Sequence, residues 1–498
     1  MAAAPSATPI GEYSATNMID RPEIGHLNRQ CGCDIHIRCV FMALDSSDRR
    51  FLRQIYGNLT DKPLQPGSAF YEPVYKILGL DDPVQQISTL IDFDGVQSIR
   101  LFSGFRGSGK TTELLRLKCE LEGQGYFVLY ADALTYVNAA EPIDITDLLM
   151  VLAGAFSDAL EECLGADNSR ETYWDRLWAF LHREVTLKDA GVKLEYQTPL
   201  KEILGGLKGG LDLKFELKSA TTFRENLRPV LINKLKELKT SVDRFFEDGI
   251  RLIRAAQGED TRVVFIFDQL EQLQGTLQSE QDVIRSVERI FATHLDLLKI
   301  PRIHSVFTVP PWLKFVLPNT VPITLLCTVH LWENDEARSH NEPAWAVFRS
   351  LIERRIGKEG LERLFGPQPG QQDLIDRTIA VCGGHFRDLL RLLRDVTARA
   401  AAANLPVAPS LVIEAINAAR RDFLPIARDD AKWLADIARV RATALPSTEA
   451  APVNRLARFL NSHFVLYFVN GKEWYDIHPL IREEVMDVVQ AAASAAED

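Results

Sequence analysis

The residues best placed to do chemistry lie between Ser103 and Leu115, in SGFRGSGKTTELL. Gly104, Gly107, Ser108, Gly109, Lys110, Thr111 and Thr112 fall in or beside the pattern G-x-x-x-x-G-K-[ST], which follows a strand-like stretch and opens a helix-like one. Glycines at this spacing let backbone N–H groups turn inward around phosphate oxygens. The start of the following helix adds partial positive charge. In such a loop Lys110 reaches the β- and γ-phosphates, and the Thr111 hydroxyl ligates Mg²⁺. The expected cofactors are therefore ATP and Mg²⁺.

The remaining candidates are far away in sequence. RVVFIFD is a buried-strand pattern that ends in Asp268. A carboxylate there holds Mg²⁺ through water, so Thr111 and Asp268 are the expected metal residues. Gln269 follows, where many fast ATPases carry glutamate. Glu271 can orient or deprotonate the attacking water, or it is only a surface acid on the next loop. Slow hydrolysis is the natural consequence. Thr308, near the end of VFTVP, is either a contact to the γ-phosphate or water, or an ordinary strand threonine. Arg387, in CGGHFRDLLRLL, either reaches back to the phosphates or is a solvated first-turn arginine. Arg354 and Arg355 are candidate arginine fingers across a subunit boundary. The expected catalytic set is Lys110, Asp268, Glu271 and Arg387. No Ser-His-Asp or Cys-His pattern stands out, and His478 reads as structural.

Strands and helices alternate around these residues. A short helix over residues 81–93 precedes the first strand, Ser98 to Gly104. A second strand runs from Tyr126 to Ala133, and a strongly apolar helix from Ile145 to Gly165. Residues 166–260 interrupt the rhythm. LDLKFELKS alternates apolar and charged residues and predicts a half-exposed strand. A long helix is expected from about Arg224 to Arg254. Its Leu231, Leu235, Leu238, Val242 and Phe245 step by 4, 3, 4, 3, either as an ordinary packing face or as a seam for a partner or second subunit. Strands at His304–Pro310 and Ile323–Leu331 resume the pattern. Helices follow, and the chain ends in a hairpin around Asn470-Gly471, a dipeptide that favours a two-residue type I′ turn. The expected division is an NTPase core over 42–335 with an insertion at about 166–260, a helical lid over 336–405, and a winged-helix-like unit over 406–498.

A net charge of -11 removes any global basic field that would draw the chain onto nucleic acid or anionic lipid. No apolar run reaches the length of a membrane span, and the N-terminus lacks a secretory h-region. The expectation is a cytoplasmic protein. Cys119, Cys163, Cys327 and Cys382 read as reduced, buried thiols. Residues 1–41 read as a leader or mis-called start, with Met42 opening like a natural N-terminus. Cys31, Cys33, His36 and Cys39 fit none of the usual zinc spacings.

In order, GFRGSGKTT, VVFIFDQLE, VFTVPPWL and GGHFRDLLRLL, ahead of a terminal winged-helix pattern, resemble the additional-strand P-loop ATPases of the AAA+/STAND type. FDQLE is similar to the D-x-L-D/E pattern of NACHT and KAP ATPases. GGHFRDLLRLL is similar to the corresponding stretch of origin-recognition and STAND proteins. The resemblance spans roughly residues 65–490. It implies an α/β fold with a parallel sheet in the order 5-1-4-3-2, a helical lid and a C-terminal winged helix. It also implies a nucleotide-controlled switch acting on a protein partner or effector, with antiviral defence or signalling as the biology by analogy alone. A homo-oligomer stays open. A DNA-associated loader or transposition regulator is the alternative, disfavoured because VNRLARFLNS offers only Arg455 and Arg458 in an acidic neighbourhood.

Overall fold

The computed structural model describes residues 45–165, 174–177, 179, 210–276, 278–443 and 450–497. Cys31, Cys33, His36 and Cys39 lie outside them, as do Met42 and most of residues 166–209.

Five parallel strands form the central sheet: β1 (Ser98–Gly104), β2 (Phe127–Asp132), β3 (Val263–Asp268), β4 (Ile303–Val309) and β5 (Ile323–Leu326). Their spatial order is β2-β3-β4-β1-β5, the 5-1-4-3-2 arrangement of an additional-strand P-loop fold. Every residue of β3 and β4 is buried, as expected where helices cover both faces of a parallel sheet. The faces alternate with the two-residue period. Phe102, Val264, Ile266 and Val306 pack with α3 (Pro83–Phe93) and α4 (Lys110–Gly123). Leu101, Phe265, Phe267 and Phe307 join the core built by α5 (Ile145–Leu164).

Two helices precede α3: α1 (Ser46–Asn58) and the short α2 (Val74–Leu78). Within the insertion, α6 (Gly210–Ser219), α7 (Thr221–Ile232) and α8 (Leu235–Gln257) follow one another. Two expectations are corrected here. LDLKFELKS is helical: Leu213 and Leu217, four residues apart, are both buried, so helical spacing wins over the alternation. The long helix is broken at Asn233–Lys234 into α7 and α8. Leu238, Val242 and Phe245 are buried in the same core as α5. Close packing with α5 shows at Gly249, where a Cβ would lie 2.4 Å from the Phe156 ring. The heptad-like spacing thus serves the chain's own core.

After β3, α9 (Glu280–Glu288) precedes β4. Beyond β5 come α10 (Glu342–Ile356), α11 (Lys358–Phe365), α12 (Gly370–Cys382), α13 (Phe386–Ala400) and α14 (Pro409–Arg421). They share a core with α1 through Leu52, Ile55 and Leu59. The last elements are α15 (Arg428–Val440), α16 (Ala450–Asn461), a hairpin of β6 (Val465–Asn470) and β7 (Lys472–Ile477), and α17 (Pro479–Glu497). Asn470 pairs with Lys472, so the turn centres on Gly471 at φ 81°. Asn470 is not at positive φ, so the expected type I′ turn is not formed. The hairpin docks on the sheet's end: Thr328 N donates to Tyr467 O at 3.2 Å, and Lys314 Nζ to Tyr467 Oη at 3.1 Å. Cys119 and Cys163 are exposed rather than buried; among the described cysteines only Cys382 is fully enclosed.

Candidate functional site

The loop from β1 to α4 closes on itself. Gly107 and Gly109 adopt φ 94° and 101°, which side chains disfavour and which turn the backbone around an open centre. Gly104 passes so close to β5 that a Cβ would lie 2.8 Å from Leu326 O. Ser108 Oγ ties the loop by donating to Phe105 O at 2.9 Å. Lys110 is buried, and its ammonium has three donors and three partners: Gly104 O at 2.9 Å, Phe105 O at 2.8 Å and Glu271 Oε1 at 3.1 Å.

Asp268 lies at the end of β3, fully buried. Its Oδ2 accepts from Thr111 Oγ1 and Tyr130 Oη, both at 2.8 Å, and its Oδ1 from Gln269 N at 2.7 Å. Burial and then the negative charge of Glu271 push its pKa up to about 6, against the hydrogen bonds from Thr111 and Tyr130. Gln269 is left-handed at φ 72°, and its side chain donates to Asp132. The turn therefore sends Gln269 to the β2 side, and the following 3₁₀ turn (Leu270–Gln272) brings Glu271 to Lys110. Glu271 is buried rather than a surface acid, and its Oε2 has no hydrogen-bond partner. Thr308 is also placed differently from the phosphate contact expected of it. It is fully buried, does not line the cleft, and its hydroxyl accepts from Leu270 N at 3.1 Å. It holds the turn that presents Glu271.

Arg387 arrives from the other side. It sits in the first turn of α13, and a Cβ on Gly107 would lie 2.6 Å from Arg387 Cβ and 2.7 Å from its Nε. Arg387 thus rests directly on the glycine-rich loop. Burial and the charge of Arg391 lower its pKa, and Asp61 Oδ2 lies 3.4 Å from its Nε without hydrogen-bond alignment. Two glycines put it there. Gly384, at φ 86°, lies so close to the core that a Cβ would overlap Val329 O at 1.7 Å. A Cβ on Gly383 would meet Leu466 and Pro479 of the C-terminal unit at 2.7 and 2.8 Å.

A fourth wall comes from residues 60–75, which carry no motif and no period. Asp61, Leu64, Phe70, Tyr71 and Tyr75 line the same cleft as Lys110, Glu271 and Arg387. The strap is pinned to α4 because Leu64 N donates to Thr112 Oγ1 at 3.0 Å and Tyr71 Oη to Glu113 at 3.2 Å. The Thr112 hydroxyl is thus engaged with the strap. Arg355, expected as an arginine finger, lines this cleft instead. It donates to Phe70 O at 3.2 Å and stands over the Phe70 ring, and burial lowers its pKa to about 10. Arg354 pairs with Glu72. Both expected arginine fingers are therefore engaged within their own chain.

The donor set fits a nucleoside triphosphate with a divalent cation. Arg387 Nε, Arg355 Nε and Glu271 Oε2 are buried polar atoms without hydrogen bonds at one cleft. Cations demand an anion there, and Asp268 with Thr111 offers hard oxygen ligands.

No protein-family model matches the sequence, and no curated protein matches it. Among solved structures, the ORC2 protein of Aeropyrum pernix in ADPNP–ADP complexes aligns at 11% identity, covering 88% of this chain and 98% of that one, with a TM-score of 0.36. Cdc6p from Pyrobaculum aerophilum aligns at 9% identity with the same coverages and a TM-score of 0.32. Sheet order and loop geometry define the class as an α/β additional-strand P-loop fold. Among the described residues, no helix is long and apolar enough to cross a membrane.

Proposed function

We propose that the chain binds ATP with Mg²⁺, hydrolyses it slowly, and uses the nucleotide to set the relation between core, lid and C-terminal unit. The placement of Arg387 against Gly107 carries this reading: the lid touches the loop where phosphate charge would sit. Lys110 exchanges its partner Glu271 for phosphate oxygens. Glu271 is then free to hold a water, while Thr308 keeps its turn in place. Thr111 and Asp268 are the residues that would hold the cation, and Mg²⁺ there supplies neutralisation of phosphate charge. Hydrolysis is slow because Gln269 is turned toward Asp132 and the general base is borrowed from an ion pair. A switch of this kind needs only different nucleotide affinities in its two lid positions.

The output is a protein partner or effector, or assembly with further copies of the chain, through the C-terminal unit read as a winged helix. Contact with protein is favoured over DNA because Arg455 and Arg458 both donate to Asp430, at 2.5 and 2.6 Å, which leaves α16 without a free basic stripe. A defence or signalling setting rests on family resemblance alone. Calorimetry on Lys110→Ala tests the site: ATP binding is lost, and affinity like that of the unsubstituted chain would overturn the reading. Glu271→Gln retains binding with slower turnover; unchanged turnover would move the general base elsewhere.

A further inference from the structure

We propose that His385, Asp388 and His463 form a binding site for a divalent transition-metal ion of the zinc class, separate from the Mg²⁺ position at Thr111 and Asp268. The three residues come from two units that the switch must hold together. His385 caps α13 and Asp388 lies one turn later. His463 occupies the turn between α16 and β6 in a left-handed conformation at φ 61°, unusual for a residue with a side chain. One ligand atom from each lies within 4.8 Å of the others.

Distances around Asp388 Oδ2 support coordination. His385 Nδ1 is 2.8 Å away and His463 Nδ1 3.7 Å. These bracket the ~3.3 Å edge of a tetrahedron with bonds of about 2.0–2.1 Å. The near contact is not a hydrogen bond: both ring nitrogens of His385 and Asp388 Oδ2 are buried without one. His385 is only 1% exposed. A buried imidazole with neither nitrogen satisfied is costly, and a cation accepting its lone pair removes the cost at one of them.

The surroundings fit as well. Leu480 N donates to His478 Nδ1 at 3.2 Å, which places the His478 proton on Nε2, 3.4 Å from Asp388 Oδ2. At that distance His478 makes no hydrogen bond to the carboxylate, and it stands where the outer partners of metal ligands stand. Phe423 stacks on His478, and the Phe105 ring of the phosphate loop stands edge-on to His463 at 5.7 Å. A groove lined by Arg106, Arg387, Asp388 and His463 reaches the site, giving an entry path and room for water ligands. Two imidazoles and one carboxylate suit zinc-class ions rather than Mg²⁺. The ion would clip the lid's first turn to the C-terminal unit beside Arg387.

The test is Co²⁺ titration of the chelator-treated full chain, read by visible d–d absorption, with Zn²⁺ competition. One equivalent binds, with bands of a nitrogen–oxygen site and no thiolate-to-cobalt charge transfer. Binding persists in Lys110→Ala and in Cys31→Ser/Cys33→Ser/Cys39→Ser. It weakens by at least about tenfold in His463→Gln and Asp388→Asn. His463 is at the edge of the cluster, so His463→Gln keeps its fold by circular dichroism and remains informative if Asp388→Asn does not. Absence of Co²⁺ binding, or equal binding by a folded His463→Gln, overturns the proposal.

Discussion

Replacing Lys110 by methionine removes a charge that the nucleotide-free protein itself uses. The side chains of Lys110 and Glu271 are 3% and 6% exposed. Without the ammonium, Glu271 and the buried Asp268 face each other with no cation at contact distance. Breaking a buried pair on one side costs about 3–5 kcal/mol. We therefore expect Lys110→Met to lose about 3 kcal/mol without nucleotide. Glu271→Leu alone should lose a similar amount, because the ammonium then stays buried against two carbonyls. Lys110→Met with Glu271→Leu replaces both charges by apolar groups of similar size, a change that is often neutral. The cycle should show a coupling of at least about 2 kcal/mol, measured by denaturant unfolding of the nucleotide-free chain. Two singles with no loss, or a double equal to their sum within about 0.5 kcal/mol, would refute the view that this pair holds the empty loop.

Protonation of Asp268 should be visible twice. Its folded pKa of about 6 exceeds the unfolded value near 3.9, so the folded chain binds more protons between the two. The contribution to nucleotide-free stability is full below about pH 4 and is lost as pH rises through about 6, a slope that Asp268→Asn should abolish in unfolding titrations. Cation binding needs the carboxylate, so Mg²⁺-dependent ATP affinity measured by calorimetry should fall about tenfold per pH unit below about 6 and level off above it. Gly384→Ala forces a side chain onto Val329 O at a positive φ, and should lose at least about 3 kcal/mol in the same unfolding assay; a neutral effect would show that the lid is not seated there.

The phosphate loop, the β3 acid and the lid arginine were legible because each is a short pattern at an element boundary. The sheet order came with the resemblance that those patterns carry. Thr308 has the right position but the wrong partner: only the Gln269–Leu270 turn, which no local pattern announces, shows where its hydroxyl goes. Residues 60–75 escaped because their place depends on distant contacts such as Leu64 N to Thr112 and Phe70 to Arg355. LDLKFELKS shows the limit of periodicity in a short segment. Leu213 and Leu217 satisfy both alternation and a helix's four-residue repeat, and tertiary burial decides between them. The cluster of His385, Asp388, His463 and His478 was invisible for a related reason: its members span nearly 100 residues and meet only where lid and hairpin touch.

Amide hydrogen exchange across Phe386–Ala400, with and without ATP and Mg²⁺, tests the coupling of nucleotide to lid most directly. The account predicts that nucleotide changes exchange in this helix and in the Val465–Ile477 hairpin, and that Arg387→Ala still binds ATP but loses the change. ATP binding to the unsubstituted chain with exchange in both segments unaltered would contradict it.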